Sequence, residues 1–194
     1  MKTTTKAFKE WNVAVNALER GETIMLLRKG GIREENNRFK VECKQVLLYP
    51  TFEHQKPHLL KPNYASQVEI VSSGWHPETV NISSFAEITH ILPVKDESII
   101  GKLFTYHIWS EEFVSDRLQF KPSQPLFLLL LKTYKLPEIK EITYRQEYGG
   151  CRSWTDLGIP LDISEIFPVL TEEKYGKKVA EISQLCSPNL SHSP

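Results

Sequence analysis

The sequence predicts an α+β domain: a mixed, largely antiparallel sheet with an N-terminal and a C-terminal helix and short helices between strands. Three observations carry this. The chain has 194 residues, 40% of them hydrophobic, which suits one domain with a sizeable core. Its apolar residues follow two periods, a strict alternation in places and a helical spacing in others. Strand-like and helix-like segments also follow one another without a steady strand–helix–strand rhythm, which favours α+β over a doubly wound sheet. The expected boundaries are a single domain over 1–186 and a disordered tail over 187–194.

Taken in order, Phe8, Trp11, Val15 and Leu18 share one face at helical spacing and predict the N-terminal helix. Thr4 or Thr5 caps its start and Gly21 follows its end. Thr23–Arg28 is a short apolar strand broken by Lys29-Gly30-Gly31, and 33–37 is a charged loop. Arg38–Cys43 alternates Phe39, Val41 and Cys43 with Arg38, Lys40 and Glu42, the pattern of a half-buried strand. Val46–Tyr49 is a strand closed by Pro50, and 51–62 is a loop or short broken helix interrupted by Pro57. Residues 85–92 read as a strand.

Asp96 and Ser110 are placed to cap short helices over 97–104 and up to Leu118. Leu126–Tyr134, bounded by Pro125 and Pro137, is long and apolar enough to be a strand buried on both faces. Ile142–Tyr144 continues the sheet, Cys151–Leu157 is a further short strand, and Thr171 opens the last helix with Val179, Ile182 and Leu185 as its stripe.

The apolar run Leu126–Leu131 is far short of the roughly 18 residues of a membrane span. The first residues hold no apolar core of a secretory signal, so a cytoplasmic location is expected. Cys43, Cys151 and Cys186 are far apart and suggest neither a zinc ribbon nor a disulfide framework. No cofactor and no metal is expected.

Net charge is zero, with 24 Lys and Arg against 24 Asp and Glu, but it is unevenly spread. Residues 1–62 hold 12 bases and 7 acids; the remainder holds 12 and 17. A basic first third suits an anionic ligand there. Arg28-Lys29-Gly30-Gly31 ends a strand with two cations beside a freely turning backbone, so its N–H groups can face an oxyanion; the full phosphate-loop pattern is absent. Glu53-His54-Gln55 follows a strand and a proline turn, and sets an imidazole between a carboxylate and an amide, a grouping suited to proton transfer or polar recognition. Glu42-Cys43-Lys44 sets an acid and a lysine on one strand face, and Glu34 or Glu35 could complete a Mg²⁺-holding nuclease arrangement. Tyr148–Trp154 offers a turn with aromatic flanks, suited either to core packing or to stacking on a base.

Ala7-Phe8-Lys9-Glu10-Trp11, Leu26-Leu27-Arg28-Lys29-Gly30-Gly31-Ile32 and Leu48-Tyr49-Pro50-Thr51-Phe52-Glu53-His54-Gln55 resemble the bacterial and cyanobacterial family called domain of unknown function 1802. His107-Ile108-Trp109, Arg117-Leu118 and Tyr148-Gly149-Gly150-Cys151-Arg152-Ser153-Trp154 are also similar to it. The resemblance runs from residue 6 to about 170. It implies a link to nucleic-acid metabolism, through members found beside restriction-endonuclease-like domains, and assigns no chemistry to any residue.

The reading that follows is a module that binds a nucleic acid or nucleotide. Arg28, Lys29, Gly30 and Gly31 would meet phosphate, and Glu53, His54 and Gln55 would orient the ligand. A metal-dependent nuclease or phosphohydrolase using Glu42 and Lys44 is one alternative, and a protein-interaction module without a small ligand is another.

Overall fold

The computed structural model describes residues 2–29, 41–150 and 152–187. Within them the order is β1 (Thr3–Trp11), α1 (Asn12–Glu19), β2 (Met25–Arg28), β3 (Gln45–Thr51), α2 (Pro62–Ala65), β4 (Thr79–Val94), α3 (Glu97–Lys102), α4 (Glu111–Gln119), β5 (Leu126–Thr143), β6 (Trp154–Asp162), β7 (Phe167–Pro168) and α5 (Glu172–Cys186). The strands form one mixed sheet in the order β2-β5-β4-β3-β1-β6, with β7 beside β5. The β1–β3 pair is parallel and every other pair is antiparallel, so the α+β class holds. Among the described residues, no helix is long and apolar enough to cross a membrane.

Successive residues of the central strands serve different cores. Phe8, Leu48 and Ala86 join the larger one, under α1 and the helices of the second half. Ala7, Leu47 and Phe85 join a smaller one closed by Tyr148, Leu157 and Ile163. A strand buried on both faces shows continuous apolar residues rather than alternation, which is why Val46–Tyr49 and Leu126–Leu131 read as they do. The sheet also curls, as twisted sheets do. Although β2 lies at one edge and β1 near the other, an Arg28 guanidinium N–H donates to the Lys9 carbonyl at 2.8 Å, and its Cζ stands 4.6 Å from the centre of the Phe8 ring.

The N-terminal helix of the sequence reading is corrected. Phe8 and Trp11 lie on a strand, and the helix begins at Asn12. The apparent helical spacing spans a strand–helix junction, where it has no geometric meaning. Thr3, Thr4 and Thr5 are β-branched and suit a strand, and pairing with β3 and β6 holds it there. Thr4 and Thr5 therefore cap nothing.

The strand at 38–43 is corrected over its described part: Val41–Cys43 is irregular, and 38–40 lie outside the described residues. Pro137 does not end β5. It falls where the register with β4 shifts, between Lys135 opposite Ser84 and Lys140 opposite Ile82, so its missing N–H breaks no regular ladder. The caps stand as read: Asp96 accepts from the Ser98 N–H, Ser110 from Phe113 and Thr171 from Lys174.

Gly21 ends α1 in the left-handed region, at φ 68°, as its place after Arg20 suggests. A Cβ there would lie 2.8 Å from Leu170 Cδ2. Gly21→Ala is expected to cost about 1–2 kcal/mol from the backbone alone, with the displacement of Leu170 added. The midpoint of urea unfolding measures it, and an unchanged midpoint would show that the turn relaxes.

Candidate nucleotide-binding hollow

β1 and β3 run parallel with Glu10 opposite Pro50 and Trp11 opposite Thr51, so both strands end on the same side of the sheet. The end of β2 curls in beside them. A hollow of about 350 Å³ opens there. Its wall is completed by the loop after β3 (Phe52, Glu53, His54), the segment before β4 (Trp75, His76, Pro77), α4, and Tyr148, Gly149, Gly150, Arg152 and Ser153. Lys9, Arg28, Lys29, Arg117 and Arg152 line it against two carboxylates, Glu10 and Glu53, so the wall is positive.

The floor is a braced polar network. Glu10, 5% exposed, takes an Arg28 guanidinium N–H at 2.7 Å on one oxygen and the Trp11 backbone N–H at 2.8 Å on the other. Lys9 is also buried, and its ammonium donates to the carbonyls of Tyr148 at 2.5 Å and Gly150 at 2.8 Å, which fixes the turn that forms the far wall. The Tyr148 hydroxyl donates to the Leu157 carbonyl at 2.6 Å. Burial, with Tyr144 and Tyr148 nearby, pushes the Tyr49 phenol above its usual range, so it stays protonated.

Aromatic rings face this network. His76 lies flat on Tyr144, with centroids 3.7 Å apart at 12°. Trp75, 40% exposed, meets Phe52 edge-on at 6.0 Å. At the α4 side Trp109 stacks on Phe113 at 4.2 Å, and the Arg117 guanidinium stands 4.9 Å over the Phe113 ring.

The structure places Arg28, Lys29, Glu53 and His54 on this one hollow and sets Gln55, Glu42 and Lys44 off it. Gly30 and Gly31 lie outside the described residues, as do Glu34, Glu35 and Cys151. Lys29 lies on the wall, yet its ammonium donates to the Leu118 carbonyl in the last turn of α4 at 3.1 Å, where a cation meets the helix dipole favourably. Burial lowers its pKa. Gln55 does not line the hollow. It is buried, its side-chain oxygen accepts from the Val13 N–H at 3.3 Å and its amide donates to the Phe52 carbonyl. It thus supplies the N-terminal cap that α1 lacks locally, a role invisible at a separation of 42 residues.

Glu53 accepts the Gly74 N–H at 2.5 Å and lies 3.5 Å from His54 Nε2. The pair ties two rim loops together, with His54 exposed and in the left-handed region at φ 63°. Glu42 lines a separate hollow with Lys6, Cys43 and Asp156. Because 41–44 is not a strand, the shared strand face proposed for Glu42 and Lys44 does not exist.

Sequence reading missed Arg117, Arg152, Phe52, His76 and Tyr144 as lining residues. One signal was present: Phe52, Trp109, Arg117 and Arg152 all lie in stretches that carry the family resemblance. His76 and Tyr144 had no such signal.

Comparison with solved structures finds a mutant of ZmASCH from Zymomonas mobilis at 12% identity and a TM-score of 0.48, covering 91% of this chain and 94% of that one. ASCH from Zymomonas mobilis is similar at 13% identity and a TM-score of 0.45, covering 90% and 93%. Similarity at this level transfers no function. No curated protein matches the chain. The model of one family matches residues 7–181, most of the chain and all the strand ends that build the hollow, and the protein accordingly belongs to the family described as Domain of unknown function (DUF1802).

Proposed function

We propose that the hollow binds a phosphate-bearing ligand of the nucleic-acid class, a nucleotide or a short single-stranded segment. One observation carries this reading: cationic side chains and aromatic faces line the same concavity. Such ligands present an anion beside a flat ring, and single-stranded binding combines a positive groove with aromatic platforms. Arg117 and Arg152 supply charge, with Arg28 braced behind them. Phe52, Trp75, His76 and Tyr144 supply faces and edges for a base. Glu53 and His54 on the rim are placed to accept from or donate to a base edge. The ring of His76 gains stiffness from its stack on Tyr144, which lowers the entropy lost on binding.

The test is fluorescence titration with labelled single-stranded oligonucleotides and with nucleotides across a series of salt concentrations. Phe52→Ala is expected to weaken binding by about 1–3 kcal/mol through lost stacking. Arg152→Gln is expected to reduce the salt slope by about one. Absence of binding at low salt, or binding indifferent to both substitutions, overturns the reading.

A further inference from the structure

Among the described residues, the α4 end of the hollow sets three cations, Arg28, Lys29 and Arg117, against two carboxylates, Glu10 and Asp116. Glu10 already serves Arg28 and the Trp11 N–H, one on each oxygen. Arg117, over the Phe113 ring, has no ion pair among the described residues. Its pKa is lowered, first by burial and then by the nearby charge of Arg28. Glu10 and the exposed Asp116 are the carboxylates that act on Arg117 in the opposite sense. Two further donors at this end, Arg28 Nε and Trp109 Nε1, are buried without an acceptor among the described residues, and their dipoles leave the local field more positive still. A bound anion would answer this charge.

Behind the guanidiniums, Glu10, Trp109 and Phe113 are at most 5% exposed. These buried side chains form the floor of the hollow at this end.

We propose that this inner end is a subsite for a terminal phosphate, a phosphomonoester on a nucleotide or on an oligonucleotide end, gripped by Arg117 and Arg28. The inference rests on the reading of the hollow as a phosphate-ligand site and narrows it from any phosphate to a chain end. A monoester carries nearly two negative charges at neutral pH, against one for an internal diester, so it answers the charge excess better.

Calorimetric titration of the full chain tests this with four probes: inorganic phosphate, and one short oligonucleotide bearing a 5′-phosphate, a 3′-phosphate or hydroxyls at both ends. A terminally phosphorylated form is expected to bind at least tenfold tighter than the hydroxyl form. Arg117→Gln is expected to abolish that difference, and Arg117→Lys to restore part of it. Equal binding of all three oligonucleotides by the unaltered protein overturns the subsite and leaves the broader reading of the hollow standing. Inorganic phosphate bound in an Arg117-dependent way, with no oligonucleotide bound, upholds the subsite and overturns the nucleic-acid reading. Should Arg117→Gln fail to fold, the comparison of phosphorylated and hydroxyl ends on the unaltered protein still decides.

Discussion

Arg28→Ala is expected to destabilise the fold by about 3–5 kcal/mol, the cost of leaving a buried charge without its partner. The partner is Glu10, 5% exposed, while Arg28 itself is 18% exposed. The same substitution removes the hydrogen bond to the Lys9 carbonyl and the guanidinium above the Phe8 ring, which are the contacts that bring β2 against β1. Urea unfolding at neutral pH measures the loss. A double substitution, Arg28→Ala with Glu10→Gln, is expected to recover a substantial part of it, because the neutral amide no longer requires a cation. A loss under about 1 kcal/mol for the single substitution would mean that water screens the pair, and that the network does not brace the hollow. This result also bears on how the hollow should be probed: Arg28 is both a wall residue and a brace, so Arg117 and Arg152 are the better positions for separating binding from folding.

Acidification is expected to unfold the protein through His107. Its imidazole is 2% exposed, and its pKa is lowered to about 3, first by burial and then by the neighbouring Lys61 ammonium. That ammonium is held close by the carbonyls of Phe104 and His107. His107 Nδ1 accepts the Trp109 N–H at 3.2 Å, which assigns the neutral proton to Nε2. In the unfolded chain the ring takes a proton near pH 6.5.

Between about pH 6.5 and 3 the unfolded state therefore binds more protons than the folded one. Stability is complete above that window and falls as the pH drops through it, with this group contributing a slope of about 1.4 kcal/mol per pH unit. Urea midpoints taken from pH 8 to pH 4 read the slope. His107→Gln, which keeps an acceptor for Trp109, is expected to flatten it by close to one proton. An equal slope in the variant would show that other groups carry the acid sensitivity. Trp109 also lines the hollow, so loss of the His107 contact should reach ligand binding at low pH as well.

The two expectations differ in how far the sequence could foresee them. Arg28 stands at the end of an apolar run, before two glycines, and its importance was legible as charge at a strand end. Its pairing with Glu10 was not, because the helical spacing of Phe8 and Trp11 places Glu10 on a helix. His107 lies in a stretch that carries the family resemblance, but nothing local marks its burial, since a histidine before Ile108 looks the same whether it is buried or exposed.

Local chemistry alone determined the capped helices. Asp96, Ser110 and Thr171 each accept from a backbone N–H two or three residues away, an interaction whose two partners lie in the same short segment. It also determined the doubly buried strands, whose apolar runs exceed what a half-exposed strand would tolerate, the glycine after α1, and the basic character of the first third. The family resemblance, read from residue 6 to about 170, is legible as well, because it rests on the order of residues; the family model matches residues 7–181.

Tertiary structure decided the rest. It made residues 3–11 a strand, because β3 and β6 offer ladders on both sides, and this pairing outweighs a chance helical spacing. It set Gln55 against the start of the distant α1 and the Lys29 ammonium against the last turn of α4. It also built the hollow itself, because the curl of the sheet brings the ends of β1, β2 and β3 together. Cations and rings from segments more than a hundred residues apart meet there by folding alone, and no local pattern records their approach.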